Sequence, residues 1–171
     1  LNDALKPVDP GDLSKGFDFD GRISEDFKLA SGTWVSVGPL RAAFIAACAP
    51  LVRDVVIAGL DRDNVSALAI LDPDGCKLIN PSLPLDDLAV MARDELIRDA
   101  FRERFAILLT KATGSSNRVT RAVLLAEPLS IDKGEITDKG SVNQRAVLEH
   151  RAALIADLYS EPPPAHVIAL E

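Results

Sequence analysis

Residues 52–71 read VRDVVIAGLDRDNVSALAIL, and this stretch decides the fold. Two largely apolar runs, 52–58 and 65–71, lie on either side of a polar segment that begins at Gly59. Apolar and β-branched runs favour strands, whereas a glycine followed by Asp, Arg and Asn favours a turn. We therefore predict an antiparallel strand–turn–strand unit. Because both runs are apolar almost throughout, we expect both faces of the sheet to be covered.

Helical patterns lie on both sides of this unit. Pro39 stands at a position that a helix tolerates, and apolar residues recur at helical spacing from there to Pro50. Residues 85–112 form a longer pattern, whose apolar face carries Ile97, Phe101, Phe105 and Leu108. After a third predicted strand at 118–126, a last helix is expected to begin at Ser141, with Gln144 in a capping box, and to end near Tyr159.

The remaining segments are predicted to be loops, a hairpin and a tail. Residues 1–20 are rich in Gly, Pro and Asp and favour a loop, with a short strand or docked turn at Phe17 and Phe19. Residues 27–37 favour a hairpin that turns at Gly32, and the tail after Pro164 favours an edge strand. The predicted class is α+β: a small three-stranded sheet with flanking helices, plus an N-terminal β-hairpin.

Composition excludes two classes of partner. The net charge of -7 argues against nucleic-acid binding, which needs a basic face to neutralise phosphates. The longest apolar stretch, residues 40–52, is interrupted by Arg41 and is shorter than the ~18 residues that span a bilayer. With no signal peptide visible, a cytoplasmic location is the default expectation and no membrane contact is expected.

The residues alone predict no self-contained active site. His150 and His166 have no local catalytic partner, and Gly11–Gly16 lacks the lysine that follows the second glycine of a phosphate-binding loop. Cys48 and Cys76 are expected to be buried, structural thiols, and no His or Cys spacing suits a metal. Such a domain either binds a ligand or partner, or completes the active site of another domain.

Two segments at opposite ends of the chain carry a family resemblance. Residues 21–28 read GRISEDFK and lead into a turn at Gly32; residues 134–140 read GEITDKG. Together they resemble the hinge and lysine segments of the small C-terminal domain of AMP-forming acyl-CoA synthetases. Within that superfamily, FDFDGR at 17–22, GTWVSVG at 32–38 and GEITDK at 134–139 are most similar to bacterial feruloyl-CoA synthetases.

The resemblance implies a domain boundary and a hinge. Residues 1–23 would be the end of a large N-terminal adenylation domain and the connection from it, and residues 24–171 the mobile C-terminal lid. Arg22 matches the arginine that holds the ribose hydroxyls of the adenylate. Ser24 falls at the hinge, where the family often has Asp or Lys.

The resemblance also implies two sets of residues that act in turn. Lys139 would contact the acyl carboxylate and the ATP phosphates during adenylation, with Lys133 as the alternative, because the usual Pro-x-Thr-x-x-Gly-Lys pattern is altered here. Gly32 and Thr33 would line the CoA tunnel in the second half-reaction. Trp34 stands where the family commonly has Arg or Lys.

The implied activity belongs to the larger protein. It would join an aromatic, hydroxycinnamate-type acid to CoA through an acyl-AMP intermediate, using ATP and Mg2+ bound mainly by the N-terminal domain. This chain would be inactive alone. Two alternatives stay open: a lid that serves a carrier protein instead of CoA, and a non-catalytic α+β domain that binds a ligand or partner.

Overall fold

The computed structural model describes the backbone of residues 3–170 and the side chains of residues 5–18 and 24–170. In chain order the strands are β1 (Asp3–Pro7), β2 (Phe17–Arg22), β3 (Phe27–Lys28), β4 (Trp34–Val35), β5 (Val52–Ala58), β6 (Val65–Leu71), β7 (Val119–Leu124) and β8 (Val167–Ala169). The helices are α1 (Val37–Cys48), α2 (Pro73–Ile79), α3 (Leu88–Arg93), α4 (Glu95–Thr110), α5 (Gln144–His150) and α6 (Ala152–Leu158).

The predicted α+β class is confirmed, and the central sheet has four strands in the order β5-β6-β7-β8. β5 and β6 form the antiparallel unit predicted from residues 52–71, with Val55 opposite Ala69. β6 and β7 are parallel. The fourth strand comes from the tail, where Val167 pairs with Val123, so the tail is indeed an edge strand.

Each face of this sheet carries its own apolar core. Alternate strand residues, such as Val55 and Ile57, face α1 to α4, where Phe44, Phe101 and Phe105 form a cluster of aromatic rings. The residues between them, such as Val56 and Leu68, face the side of α5 and α6. Successive side chains of a strand point to opposite faces, which produces this division and explains why β5 and β6 are apolar almost throughout.

Three helix predictions need correction. Residues 73–79 form α2 rather than a turn and loop, because the Asp72 carboxylate accepts the Gly75 amide and Pro73 occupies the first turn. The stretch 85–112 is two helices, divided at Asp94, whose extended backbone and side chain cap α4. The last helix is likewise interrupted, at Arg151.

The N-terminal region also differs from the predicted loop. β1 and β2 form an antiparallel ribbon, with Leu5 opposite Phe19. The predicted hairpin at 27–37 is confirmed as β3 and β4, with Phe27 opposite Val35. No helix in the part of the chain that the structure describes has the length and apolar character needed to cross a membrane.

Candidate functional site

The β3–β4 hairpin presents Gly32 and Thr33 at its exposed end. The Gly32 amide donates to the Leu29 carbonyl at 2.8 Å, and Gly32 has a φ of +82° that favours glycine. A Cβ at Gly32 would meet no atom within 4 Å, so the space beside it is open. The hydroxyls of Ser31 and Thr33 lie 2.9 Å apart. The turn is therefore ordered by its own hydrogen bonds and accessible from outside.

This hairpin is fixed to the turn between β5 and β6. The Ala30 amide donates to the Arg62 carbonyl at 2.9 Å, and the Asp61 amide donates to the Lys28 carbonyl at 3.1 Å. A Cβ on Gly59 would lie only 2.9 Å from the Phe27 ring, so the glycine permits a close contact there. The β3–β4 hairpin is therefore held to one end of the central sheet.

The segment before the hairpin contains the predicted hinge. Ser24 is exposed and lies in a short 3-10 turn, Ile23–Glu25, between β2 and β3. Two residues later, the Asp26 carboxylate accepts the Val37 amide at 2.8 Å, which ties the chain to the start of α1. Arg22 ends β2, but its side chain lies outside the described residues, so the ribose contact remains a prediction.

Lys139 occupies the tip of a second small hairpin. Ile136 and Val142 form a β-bridge, and the Thr137 amide donates to the Ser141 carbonyl at 2.9 Å. Gly140 follows Lys139 with a φ of +81° and closes the turn. Lys139 is exposed and has no ion-pair partner among the described side chains. Its ammonium group is thus displayed at the end of a short, hydrogen-bonded projection.

A buried ion pair holds the base of this Lys139 hairpin. The Glu135 carboxylate is fully buried and receives Nε of Arg151 at 2.8 Å and Nη2 at 2.9 Å. It also accepts the Ser130 amide at 2.8 Å. The hydrogen bonds from Arg151 are the main reason that the pKa of Glu135 is lowered. Arg151 reaches further, to Glu127 and the Pro128 carbonyl.

Gln144 anchors the other end of the Lys139 hairpin to the sheet. Its buried carboxamide accepts the Ile57 amide at 3.0 Å and donates to the Val55 carbonyl at 2.8 Å. The Gln144 side chain therefore pairs with backbone groups on the free edge of β5, as a neighbouring strand would. The predicted capping box is wrong, since Asn143 caps α5. The sequence gives no signal for either anchor, because Arg151 lies 16 residues from Glu135 and β5 lies 87 residues from Gln144.

Lys133, the alternative lysine, has a different position. It is exposed in a turn closed by a 2.8 Å hydrogen bond from the Gly134 amide to the Ile131 carbonyl. It faces a groove beside Arg151 and also lowers the pKa of Glu135 by charge. Lys133 and Lys139 thus lie on either side of the Glu135 anchor and point to different surroundings.

The two predicted sets of site residues are not brought together. Leu29 and Val35 of the β3–β4 hairpin belong to the core on the α1–α4 face of the sheet. Val142, next to the Lys139 turn, belongs to the core on the α5–α6 face. The β3–β4 turn and the Lys139 turn are therefore supported from opposite faces of one sheet.

The described residues contain neither an activated thiol nor a metal-binding cluster. Burial raises the pKa of Cys48 to about 12 and that of Cys76 to about 11, which keeps both thiols protonated. No group of three or more His, Cys, Asp or Glu side chains among residues 5–18 and 24–170 could hold a metal ion.

Comparison with solved structures identifies the fold. The adenylation domain of a carboxylic acid reductase from Segniliparus rugosus, in complex with AMP and a co-purified carboxylic acid, matches with a TM-score of 0.58 and 19% identity. That of a carboxylate reductase from Mycobacterium chelonae matches with 0.60 and 20%. An anthranilate CoA ligase in complex with anthranoyl-AMP matches with 0.53 and 22%. No family model and no curated protein matches the chain.

These matches cover nearly all of this chain but only part of each neighbour. They span 94%, 92% and 92% of the chain, and 23%, 22% and 25% of the neighbouring chains respectively. At such low identity the likeness establishes shared architecture only. It does not identify a substrate. The chain therefore has the fold of about a quarter of each of these neighbouring chains.

Proposed function

We propose that this chain is the mobile lid of an ATP-dependent, AMP-forming acid–CoA ligase. Three observations support the proposal: the fold it shares with acid-adenylating enzymes, the exposed lysine at the tip of an anchored hairpin, and the hinge-like segment before β3. The remainder of the ligase would be a large N-terminal domain. In this proposal residues 1–23 belong to that domain and its connection, and residues 24–171 form the lid.

The observation that carries the proposal is the placement of Gly32 and Lys139 on supports at opposite faces of the sheet. We infer that a rigid domain with this arrangement presents one turn at a time to an active site. It can present the two turns in succession if it rotates. A ligase with two half-reactions needs such an alternation, and hinge residues absorb the change in backbone angles. Ser24 is the residue we assign to that hinge.

Lys139 would act in the first half-reaction. When a carboxylate attacks the α-phosphorus of ATP, negative charge develops on the phosphate oxygens and pyrophosphate leaves. A positioned ammonium group stabilises that charge without reorganisation at the moment of reaction. Glu135 and Gln144 would keep the Lys139 hairpin in place for this role, and Arg22 would hold the ribose hydroxyls of the adenylate.

The β3–β4 hairpin would act in the second half-reaction. The open space at Gly32 suits the close approach of a pantetheine arm, and Thr33 lies beside it. CoA then attacks the acyl-AMP, and AMP leaves. Mg2+ and most of ATP are assigned to the large domain. The aromatic, hydroxycinnamate-type acid rests on the sequence resemblance to feruloyl-CoA synthetases.

The test separates the two half-reactions in the full-length ligase. Lys139→Ala should lower acid-dependent exchange between pyrophosphate and ATP by about a hundredfold or more, as loss of a charge-stabilising group does. It should leave thioester formation from preformed acyl-AMP within about threefold of wild type. Gly32→Leu should show the reverse pattern, because its side chain would occupy the open space at the turn and would strain a backbone with a positive φ.

Lys133→Ala is the matched control, an exposed lysine on the other side of the Glu135 anchor. It should leave both half-reactions intact. If Lys133→Ala has the effect expected of Lys139→Ala, the assignment moves to Lys133. Equal loss of both half-reactions in Lys139→Ala would refute the alternating lid.

A carrier protein is the alternative thiol acceptor. One neighbouring structure is an adenylation–carrier didomain of the Segniliparus rugosus reductase in complex with AMP, which matches 94% of this chain. Free CoA and a phosphopantetheinylated carrier should therefore be offered in parallel to the full-length enzyme. Faster acyl transfer to the carrier would replace CoA in this proposal and leave the role of Lys139 unchanged.

A non-catalytic binding domain is the remaining alternative. It would bind its ligand without the large domain, whereas a lid shares each nucleotide site with that domain. Calorimetry of this chain alone with ATP and with CoA should show almost no binding if it is a lid. Micromolar affinity for either nucleotide would favour the binding domain.

A further inference from the structure

A groove of about 730 Å3 lies at the carboxyl end of β7, where the start of α4 faces α5 and α6. Its volume is within the range of small-molecule sites. β6 and β7 are parallel, so this groove and the turn that holds the β3–β4 hairpin are at opposite ends of the sheet. The groove is therefore separate from the CoA-facing elements of the proposed lid.

The groove combines an apolar floor with a basic wall. Val123, Leu125 and Leu154 supply apolar surface. The basic side chains that line it are Arg93, Arg98, Lys133, His150, Arg151 and His166. Such a combination of apolar surface with a few convergent polar groups is typical of ligand sites.

Arg98 is the decisive residue, because its charge is buried without a carboxylate in ion-pair contact, and Glu95 and Asp99 act on it only from further away. Only 8% of Arg98 is exposed. Its guanidinium donates to the Ala165 carbonyl at 2.8 Å and, more weakly, to the Ala92 carbonyl at 3.5 Å. No ion pair to it forms among the described residues, and burial lowers its pKa. A buried charge of this kind is costly unless an anion meets it.

The other charges limit the kind of anion that this groove could bind. Arg151 is already occupied by Glu135 and Glu127, and His166 contacts Asp157. Arg93, Arg98, Lys133 and His150 then remain, and Glu95 opposes them. This modest excess of positive charge suits a single negative group, whereas a polyphosphate would need more cations.

We propose that this groove binds an organic carboxylate with an apolar body. The carboxylate would accept hydrogen bonds from the Arg98 guanidinium, with Lys133 at the mouth, and the apolar body would lie over Val123, Leu125 and Leu154. Binding needs only this chain, so the proposal is independent of the ligase assignment.

The test titrates three small molecules into the 15N-labelled chain and measures the changes in its amide chemical shifts. The first, 4-phenylbutyrate, has both a carboxylate and an apolar body. The second, 4-phenylbutyramide, is its neutral analogue, and the third, acetate, has the carboxylate without the apolar body. Only 4-phenylbutyrate should saturate, with shifts at Leu125, Leu154 and Ala165. Equal affinity for the neutral amide, or saturation without shifts at those residues, would overturn the proposal.

Variants then test the charge. Arg98→Gln should weaken 4-phenylbutyrate binding by between about tenfold and a hundredfold, the range for hydrogen bonds to a charged group. Arg145→Gln, at a side chain that is 89% exposed and does not line the groove, should bind within about twofold of wild type. Unchanged affinity in Arg98→Gln refutes the site.

Two exposed substitutions keep the test decisive if Arg98→Gln does not fold. Lys133→Gln removes a cation from the mouth, and Ala153→Glu adds a carboxylate to an exposed lining position of α6. Both should weaken 4-phenylbutyrate binding, and the spectrum of each free variant should remain that of a folded chain. If neither does, the carboxylate does not lie in this groove.

Discussion

The Arg151 guanidinium holds the Glu135 carboxylate through two parallel hydrogen bonds of 2.8 and 2.9 Å, and Glu135 is completely buried. Glu135 lies four residues before Lys139, and its own carbonyl accepts the Asn143 amide at 2.9 Å. The pair therefore joins the loop that carries the lysine to the point where α5 ends and α6 begins. Removal of one partner of a buried ion pair leaves the other charge uncompensated.

Glu135→Gln should accordingly lower the free energy of unfolding at pH 7 by about 3 kcal/mol. The pKa of Glu135 is lowered in the folded chain, so its contribution to stability is present above its ordinary value of 4.5. That contribution is lost as the pH falls through the folded pKa. The difference between wild type and Glu135→Gln in urea unfolding should be constant near neutrality and shrink below about pH 4.5.

Glu149→Gln is the control, because Glu149 pairs with Arg145 on the surface, where their side chains are 61% and 89% exposed. Surface pairs of this kind contribute less than about 0.5 kcal/mol. A pH profile of Glu135→Gln that is parallel to wild type throughout would show that Glu135 does not titrate as this geometry requires.

Gln144 is expected to matter as much for the β5 edge as for its helix. Gln144→Met would leave the Ile57 amide and the Val55 carbonyl without their partner, at a cost of about 2–4 kcal/mol. Urea unfolding gives the total effect, and faster exchange of the Ile57 amide hydrogen would locate it. Arg145→Ala, at the next and exposed residue, should change stability by less than about 0.5 kcal/mol. Slow Ile57 exchange in Gln144→Met would contradict the edge contact.

The parts of the fold that could be predicted from the sequence are those in which an apolar pattern repeats over several residues. The runs in β5 and β6 and the apolar spacing at Phe101 and Phe105 repeat over several residues, so their periods are readable. The exposed positions of Gly32 and Lys139 also agree with a sequence reading of loops.

What the sequence did not predict depends on single contacts, which are local at Asp94 and long-range at Arg151 and Arg98. Asp94 divides one helical pattern into two helices because its backbone turns and its side chain caps the second, and the pattern alone reads as continuous. Arg151 interrupts the last helix while it holds Glu135. Arg98 reads as one more solvated charge of an amphipathic helix, and only the tertiary structure buries it.

The two cysteines should be almost unreactive while the chain is folded. Burial raises the pKa of Cys48 to about 12; burial, with smaller effects of Asp72 and Asp94, raises that of Cys76 to about 11. The thiolate is the reactive form, so alkylation by iodoacetamide at pH 8 should be about a hundredfold slower than in urea-unfolded chain. Mass spectrometry of both sites gives the rates. Modification of the folded chain at the unfolded rate would contradict this burial.

Gly59 should be required for docking of the β3–β4 hairpin. A methyl group there would lie 2.9 Å from the Phe27 ring and 3.2 Å from the Asn64 carbonyl, so one side must move. Overpacking of this kind costs about 1–3 kcal/mol. Because the Ala30 amide binds the Arg62 carbonyl across the same contact, Gly59→Ala should speed exchange of the Ala30 amide more than that of Val56 in the sheet.

Gly114→Ala is the matched control, since a methyl group there meets nothing within 4 Å. It should leave Ala30 exchange unchanged and alter stability by less than about 1 kcal/mol. If the proposed ligase assignment holds, Gly59→Ala in the full-length protein should slow thioester formation and spare adenylation, because this substitution loosens the support of Gly32 but not that of Lys139. Slower adenylation with normal thioester formation would mean that the β3–β4 hairpin serves the first half-reaction. The roles proposed for this hairpin and for the Lys139 hairpin would then have to be exchanged.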